Sequence, residues 1–410
     1  MKILHTADWH LGKRLQDFQR IQEQKEVLAE IVALAEQEDV DLVVVAGDLF
    51  DTFNPSAEAE DLLYSTLKRL AAGGKRPVIA IAGNHDNPER IEAQDHFGRE
   101  CGIIFVGYPR TQVHTHVLNC DASLLQTQPG FLEIQLPRHR APVRLLVTPY
   151  ANESRMRSYF GVQQTDDALR QALQAHWTSL ADAHMDAQGV NLLVAHLFVM
   201  KRGGEVPEET GDERSILQVG GASMIYSDMI PPQVQYTALG HLHRQQSIGG
   251  GHAPVVYSSS PLAYSFAEAD QEKYVMLIEA EPATPVVVTP IALKAGKRLL
   301  RKRFTHVDDA VEWLQQNPDC YPEITLQTSS YLTSEDRRRL AQAHDSLSTA
   351  SIIPDIRDVD APSNTKSQTV DLTQSMEALF VDYFKSKNKG QEPNDRLRQL
   401  FGEILATDPE

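Results

Sequence analysis

The chain has 410 residues, enough for two or three folded units, and 41% of them are hydrophobic, which excludes a disordered protein. Its 39 basic and 56 acidic residues give a formal charge of −17, which argues against a protein that coats nucleic acid through bulk positive charge. No apolar stretch reaches the roughly 18 to 20 residues of a membrane helix, and no secretory signal is visible, so we expect a cytoplasmic location. The widely separated Cys101, Cys120 and Cys320 predict neither a disulfide framework nor a thiolate metal site.

The first 90 residues alternate between strand and helix patterns. Short or unbroken apolar runs predict strands at Ile3–Thr6, Leu42–Ala46 and Val78–Ala82. An apolar stripe at residues 27–35 predicts the first intervening helix. The second is predicted to begin at Asn54 and Pro55 and to end before the glycine pair at 73–74. This order calls for a parallel sheet covered by helices.

Later segments predict a second sheet and two smaller units. Residues 100–160 contain short strands broken by Pro and Gly, which favours a largely antiparallel sheet. More apolar strands follow a helix near Trp177, so we expect an α/β protein with two sheets face to face and helices outside. The predicted divisions are a main domain at 1–294, a small α+β unit at 295–357, a linker at 358–370 and a helical hairpin at 371–406.

Potential metal ligands follow five of the predicted strands. These residues are Asp8 and His10, then Asp48, then Asn84 with His85, then His196, and finally His241 with His243. The i, i+2 spacing of the first and last pairs places both side chains on one side of an extended backbone. Ligands gather at the carboxyl ends of strands in open α/β sheets, so we expect these groups to converge. Oxygen and imidazole without sulfur suit Mn²⁺, Fe²⁺ or Mg²⁺ and tolerate zinc, and the number of ligands predicts a two-metal centre.

The motifs that carry these ligands resemble a known family. The series Asp-Trp-His at 8–10, Gly-Asp at 47–48, Gly-Asn-His-Asp at 83–86, His196 and Gly-His-Leu-His at 240–243 resembles the motifs of the calcineurin-like metallophosphoesterases. More narrowly, His-Thr-Ala-Asp-Trp-His-Leu-Gly at 5–12 and Gly-Asp-Leu-Phe-Asp at 47–51 are similar to the bacterial SbcD nuclease subunits. The resemblance implies a two-sheet αββα sandwich, a small α+β capping domain and a C-terminal helical hairpin.

The resemblance also implies roles for the ligands. One metal would be held by Asp8, His10, Asp48 and His243, and a second by Asp48, Asn84, His196 and His241. His85 would approach the scissile phosphate as a general acid or as a donor to developing charge. Archaeal and eukaryotic relatives have a histidine where this chain has Asp51, so no role of that histidine is transferred.

The implied function is a metal-dependent DNA nuclease. Two divalent ions, Mn²⁺ in the first instance with Mg²⁺ or Fe²⁺ as alternatives, activate water and bind phosphate oxygens. The resemblance implies exonuclease action on duplex ends and endonuclease action on hairpins, a homodimer formed through helices of the first half, and an SbcC-like coiled-coil ATPase partner in DNA repair and recombination. The alternatives are a phosphatase or cyclic-nucleotide phosphodiesterase for small substrates, and a non-catalytic scaffold that kept the fold.

A basic run opens the predicted capping domain. Its six bases are Lys294, Lys297, Arg298, Arg301, Lys302 and Arg303. A charge run is often only a solvated surface, so this alternative stays open beside contact with DNA phosphates.

The C-terminal segment carries two apolar stripes at helical spacing. The first consists of Met376, Leu379, Phe380, Tyr383 and Phe384, and the second of Leu397, Leu400, Phe401, Ile404 and Leu405. Two helices of this size do not bury both stripes and remain stable alone. They are expected to dock either on the chain itself or in a groove of the ATPase partner.

Overall fold

The structure, a computed structural model, falls into two compact units, residues 1–356 and 357–410. It describes residues 1–114, 122–151, 166–205, 207, 224–269, 271–328, 332–348 and 351–356, together with Phe380, Val381, Phe384, Pro393, Leu397, Arg398 and Phe401.

The described residues form strands β1–β20 and helices α1–α7. The strands are β1 Lys2–Thr6, β2 Arg14–Leu15, β3 Phe18–Gln19, β4 Leu42–Val45, β5 Val78–Ile81, β6 Ile103–Val106, β7 Ser123–Gln128, β8 Phe131–Gln135, β9 Val143–Thr148, β10 Val190–His196, β11 Val199–Met200, β12 Ile225–Tyr226, β13 Tyr236–Gly240, β14 Gln246–Ile248, β15 Val255–Tyr257, β16 Tyr274–Glu279, β17 Val287–Ala292, β18 Arg298–Phe304, β19 Cys320–Thr328 and β20 Ile352–Ile356. The helices are α1 Ile21–Gln37, α2 Ala57–Leu70, α3 Pro88–Glu92, α4 Asp95–Glu100, α5 Asp166–His184, α6 Val307–Gln316 and α7 Ser334–Ala343.

Two sheets form the centre of the larger unit. One has the strand order β17-β16-β1-β4-β5-β6, and the other has the order β14-β15-β13-β10-β9-β8-β7. A hydrophobic cluster with members from both sheets, among them Ile3, Val44, Leu145 and Leu192, fills the space between them. Separate clusters join each outer sheet face to its helices. The predicted αββα sandwich is confirmed.

The strand β4 explains why the central runs are apolar at every position. Leu42 and Val44 belong to the cluster between the sheets, whereas Val43 and Val45 belong to the cluster with α1 and α2. Successive side chains in a strand point to opposite faces, so a strand covered on both faces needs apolar residues throughout. All four residues are buried.

The second sheet differs from its prediction. Strands β7, β8 and β9 pair antiparallel as expected, but β10 pairs in parallel with both β9 and β13, and β13 pairs in parallel with β15. The prediction of a largely antiparallel sheet is therefore wrong, and the sheet is mixed. Broken, short apolar runs specify strands, but the direction of pairing depends on long connections such as the one that contains α5.

The second predicted helix begins two residues later than expected. Ser56 is its N-cap, with extended backbone and a hydroxyl that accepts a hydrogen bond from Ala59 N at 3.3 Å. Asn54 and Pro55 precede the helix, so their predicted roles as cap and first-turn residue are wrong. A serine side chain accepts a hydrogen bond from an unpaired backbone N–H of the first helical turn just as an asparagine side chain does. The sequence alone therefore did not decide between Asn54 and Ser56 as the N-cap.

Residues 298–356 contain a smaller parallel sheet of β18, β19 and β20 with α6 and α7. It has its own hydrophobic cluster, which includes Phe304, Leu314, Leu326 and Leu340. The carboxylate of Glu23 on α1 accepts hydrogen bonds from Tyr321 Oη and Lys297 N, both at 2.8 Å. The domain boundaries predicted from the sequence stay predictions. Over the described ranges, no helix combines the length and apolar character needed to cross a membrane.

Candidate metal centre

Five strands end at the same place in the fold. β1, β4 and β5 are parallel neighbours in the first sheet, and β10 and β13 are parallel neighbours in the second. The segments at or directly after their carboxyl ends contain all the predicted ligands, which are Asp8, His10, Asp48, Asn84, His85, His196, His241 and His243. The contacts below show that these side chains meet, which is the convergence expected from the strand order.

The backbone reaches this arrangement in a way the spacing did not predict. Asp8, His10, Asp48 and His241 all have left-handed backbone, with φ of 55°, 43°, 48° and 106°. The expected extended backbone across Asp8 and His10 is therefore wrong, since both lie in a loop beyond β1. Non-glycine residues rarely adopt such angles, and they persist where the surrounding structure enforces them, often at functional sites.

Hydrogen bonds between loops hold this strained backbone. Asp8 N donates to Gly47 O and His10 N donates to Asp48 O, both at 2.9 Å. His241 N from the second sheet donates to the Asp8 carboxylate at 2.8 Å. The loops therefore fix one another rather than standing as separate motifs.

The first group of side chains surrounds one face of Asp48. His10 Nε2 lies 2.9 Å from His243 Nε2 and 3.4 Å from Asp48 Oδ2. Ligand atoms of Asp8, His10 and Asp48 all lie within 4.8 Å of one another, and all three residues are buried. Two imidazole nitrogens and two carboxylates at these separations match a divalent-cation site.

A second group shares the same carboxylate. Asn84 Oδ1 lies 2.9 Å from both His196 Nε2 and His241 Nδ1. His196 Nε2 is 3.4 Å from Asp48 Oδ2, the atom that also lies 3.4 Å from His10 Nε2. One oxygen of Asp48 thus stands between the two groups.

The electrostatics of the buried carboxylates favour a cation here. Asp8 Oδ2 is buried and has no hydrogen-bond partner among the described residues. Burial raises the pKa of Asp8 to about 7, against the lowering effect of His196 and His243. For Asp48, burial acts in the same direction, but His196 and His10 outweigh it and hold the pKa well below its usual range. An unpartnered carboxylate oxygen beside a buried anion fits a bound divalent ion.

His85 occupies a different position from the other histidines. Its Nδ1–H donates to the backbone oxygen of Asp51 at 2.8 Å, and its backbone N–H donates to Asp48 Oδ1 at 2.9 Å. Its ring is 4.7 Å from the ring of His10, centroid to centroid. Nδ1 is engaged, so Nε2 is the nitrogen that can meet a substrate.

Sequence reasoning missed the residues that support the candidate ligands. The fully buried Asp86 carboxylate accepts hydrogen bonds from the backbone N–H groups of Leu49, Phe50 and Gly83, at 3.0, 2.9 and 2.8 Å. Asp86 belongs to the Gly-Asn-His-Asp motif, so its sequence signal was visible. The ion pair of Glu268 with Lys273 beside His243 has no motif and could not be found in this way.

The six predicted phosphate-binding bases are exposed on or just before β18. Lys294 and Lys297 precede the strand, and Arg298, Arg301, Lys302 and Arg303 lie on it. Arg301 is paired with Glu323 at 2.5 Å, and Lys302 Nζ lies 5.4 Å from the Trp313 ring centroid. Lys297 Nζ lies 3.4 Å from Ser346 Oγ and 5.6 Å from the Tyr321 ring centroid. Lys294, Arg298 and Arg303 are exposed, and the predicted contact with DNA stays a prediction.

Most residues of the predicted C-terminal stripes lie outside the described residues, namely Met376, Leu379, Tyr383, Leu400, Ile404 and Leu405. Within the part that is described, Phe380, Phe384, Leu397 and Phe401 are helical. The rings of Phe380 and Phe401 stack at 4.2 Å with an interplanar angle of 10°, so one residue of each stripe packs on the other. Leu397 is 39% exposed.

Gly83 offers a test of how tightly the loops are packed. A Cβ at this position would lie 2.1 Å from Asp48 Oδ1 and 2.2 Å from Asp48 N. We predict that Gly83→Ala lowers the free energy of unfolding by about 1 to 3 kcal/mol and weakens Mn²⁺ binding, because Asp48 must move. Urea denaturation and Mn²⁺ titration measure the two effects. Gly249→Ala is the matched control, since among the described residues its Cβ would meet only Lys201, at 3.8 Å. Equal free energies of unfolding and equal Mn²⁺ affinities of the two variants would contradict the prediction.

Comparison with known proteins places this site in a family. The model of the calcineurin-like phosphoesterase family matches residues 1–175. The chain is similar to the SbcD subunit of nuclease SbcCD from Bacillus subtilis (strain 168), with 33% identity over 413 residues, which cover 99% of this chain and 98% of that protein. The SbcD subunit from Rhodobacter capsulatus is 34% identical over 291 residues, covering 68% of this chain and 66% of that protein.

A third relative also aligns with almost the whole chain. The SbcD subunit from Staphylococcus epidermidis is 29% identical over 413 residues, covering 99% of each protein. Identity of one third with the B. subtilis protein, over nearly all of both chains, exceeds what the shared fold alone requires. The chain therefore belongs to the SbcD family of nuclease subunits within the calcineurin-like phosphoesterases.

Proposed function

We propose that this chain is a metal-dependent DNA nuclease, an exonuclease on duplex ends and an endonuclease on hairpins, that works with an SbcC-like ATPase in DNA repair and recombination. The observation that carries the proposal is the position of Asp48 Oδ2, 3.4 Å from nitrogens of both His10 and His196. A single oxygen between two groups of ligands is what a carboxylate that bridges two cations requires. The names of three relatives supply the nuclease assignment.

The proposed ligand sets share Asp48. The first is completed by Asp8, His10 and His243, and the second by Asn84, His196 and His241. Mn²⁺ is the proposed ion, since oxygen and imidazole donors without sulfur suit it, with Mg²⁺ or Fe²⁺ as alternatives. Bound divalent ions at such a site supply a nucleophile at neutral pH and positive charge for phosphate oxygens.

The side chains themselves contribute orientation and proton transfer. Asp8 and Asp48 are held by backbone hydrogen bonds from His241 and His85 and so present fixed oxygens. His85, oriented by its bond to the Asp51 carbonyl, keeps Nε2 available to donate to a phosphate oxygen or to a leaving group. It is the proposed catalytic residue.

Cleavage of DNA requires more than the pocket. The exposed bases of β18 give the acidic chain a local positive surface, which we propose binds the phosphate backbone.

We also propose a homodimer formed by helices of the first half, where Phe97 on α4 is 68% exposed. The proposed location is the cytoplasm.

A nuclease assay tests the assigned activity. The purified chain, alone and with an SbcC-like ATPase, is incubated with Mn²⁺ or Mg²⁺ and with end-labelled duplex DNA, hairpin DNA or a small chromogenic phosphodiester. We predict cleavage of both DNAs, and a loss of about 10²- to 10⁴-fold in His85→Ala, because general acid–base assistance is removed. Metal content of the variant, measured by atomic absorption, should remain at the wild-type level.

Two outcomes would contradict the proposal. Turnover of the small phosphodiester without cleavage of either DNA would favour a small-substrate phosphatase or cyclic-nucleotide phosphodiesterase. Absence of any hydrolysis despite bound metal would favour a non-catalytic scaffold. Metal loss in His85→Ala would instead make that residue a ligand.

The C-terminal stripes generate a separate prediction about the partner. Stacking of Phe380 on Phe401 supports a helical pair, and Leu397 leaves apolar surface exposed. We predict that truncation after residue 370 abolishes association with the ATPase because the apolar stripes are removed, and leaves Mn²⁺ binding unchanged. Size-exclusion chromatography of the mixed proteins measures the association. Survival of the complex would show that the stripes do not bind the ATPase and would favour their docking on the chain itself.

A further inference from the structure

Two histidines of the candidate metal centre each have a carboxylate behind the ring. His10 and His243 face each other through Nε2, at 2.9 Å. The opposite nitrogen of each ring, Nδ1, lies near an acid. Glu268 Oε1 is within hydrogen-bond distance of His243 Nδ1, at 3.5 Å. Asp51 Oδ1 is 3.6 Å from His10 Nδ1, which makes no hydrogen bond to the described residues, so this contact is electrostatic. Both rings are buried. The arrangement is repeated on two elements that are far apart in sequence.

Each of these carboxylates is paired with a lysine. Lys273 Nζ lies 2.5 Å from Glu268 Oε2, and Lys13 Nζ lies 2.9 Å from Asp51 Oδ1. The Glu268 side chain is 1% exposed and that of Lys273 is 7% exposed. Burying a carboxylate and an ammonium group together costs roughly several kcal/mol of desolvation free energy. Their attraction offsets this cost only when the remaining N–H groups and oxygens of the pair also make hydrogen bonds.

The buried pair of Glu268 and Lys273 meets that condition and contacts both the backbone and the ring of His243. Besides Glu268, the Lys273 ammonium donates to His243 O at 2.9 Å and to Ser260 Oγ at 3.0 Å, which uses all three of its N–H groups. Glu268 Oε1 also accepts from Tyr264 N at 3.2 Å. The pair therefore holds the backbone of His243 through the lysine and its ring through the carboxylate.

The second proposed metal position is supported differently. His196 Nδ1–H donates to a backbone carbonyl, Ala46 O, at 2.8 Å. The Asp8 carboxylate is farther away, with Oδ1 3.8 Å from His196 Nδ1. The group that is hydrogen-bonded to His196 Nδ1 is therefore a neutral carbonyl, whereas the group within hydrogen-bond distance of His243 Nδ1 is the Glu268 carboxylate.

We propose that Glu268, anchored by Lys273, is a positioning residue that fixes the orientation and tautomer of His243, and that Asp51, anchored by Lys13, is a positioning residue whose negative charge favours the His10 tautomer with hydrogen on Nδ1. With hydrogen on Nδ1, Nε2 of each ring keeps its lone pair for the shared metal position. The proposal rests on the proposed function, because it takes that position to be a metal site. It also gives Asp51 a role in this chain, at the place where relatives outside the bacteria have histidine.

A metal-binding experiment tests the proposal without measuring catalysis. The full-length chain is titrated with Mn²⁺, and free Mn²⁺ is followed by electron paramagnetic resonance. We expect two Mn²⁺ per wild-type chain. In Glu268→Gln, one Mn²⁺ should bind about 10- to 100-fold more weakly and the other should be unchanged, because loss of a carboxylate behind a ligating histidine typically has this effect. Glu272→Gln, which removes the same charge at an exposed position nearby, should bind like wild type.

A second variant, Asp51→Asn, distinguishes a loss of metal affinity from a loss of folding. Glu268→Gln leaves Lys273 buried beside a neutral group, whereas Asp51 is 23% exposed and tolerates change more easily. Asp51→Asn should also weaken one Mn²⁺ selectively, and its melting temperature in EDTA should match that of the exposed control Asp309→Asn.

The outcomes separate the two claims. Unchanged affinity for both ions in Asp51→Asn, or equal weakening of both, would overturn the positioning role while the metal centre stands. Fewer than two Mn²⁺ in the wild type would overturn the metal centre itself, and with it the basis of the positioning role.

Discussion

The buried carboxylate of Asp48 is the feature on which the rest of the site depends. Its Oδ2 atom lies 3.4 Å from a nitrogen of His10, in the loop after β1, and 3.4 Å from a nitrogen of His196, at the end of β10 in the second sheet. Its Oδ1 atom accepts the backbone N–H of His85. An anion at 2% exposure is unfavourable unless positive charge or hydrogen bonds surround it. The two sheets therefore have to bring histidines and N–H groups to one place, and the same arrangement can hold cations.

This requirement explains the strain in the surrounding loops. Four candidate ligands have left-handed backbone, and neighbouring glycines leave no room for a side chain. At Gly240, for example, a Cβ would collide with the Ala46 carbonyl, at 1.9 Å. The left-handed backbone and the close approaches lower the stability of the folded state. The packing of the two apolar clusters on either side of the first sheet has to offset this loss.

The sequence alone predicted the layers and the meeting of the candidate ligands, because each motif follows an apolar run whose carboxyl end is defined. It did not predict the left-handed angles at Asp8 and His10, which arise from hydrogen bonds to a different loop. It also missed the parallel pairs in the second sheet, since strand direction depends on tertiary connections. Glu268 lies in a single turn of 3₁₀-helix with no motif, and a lone glutamate is ordinarily exposed, so only its burial beside Lys273 distinguishes it.

Anomalous diffraction from crystals soaked in Mn²⁺ tests the central claim most directly. We predict two anomalous peaks on opposite sides of the Asp48 carboxylate, one in contact with His10 and His243 and the other with Asn84, His196 and His241. A single peak away from Asp48, or density without any peak between these residues, would contradict the two-metal centre.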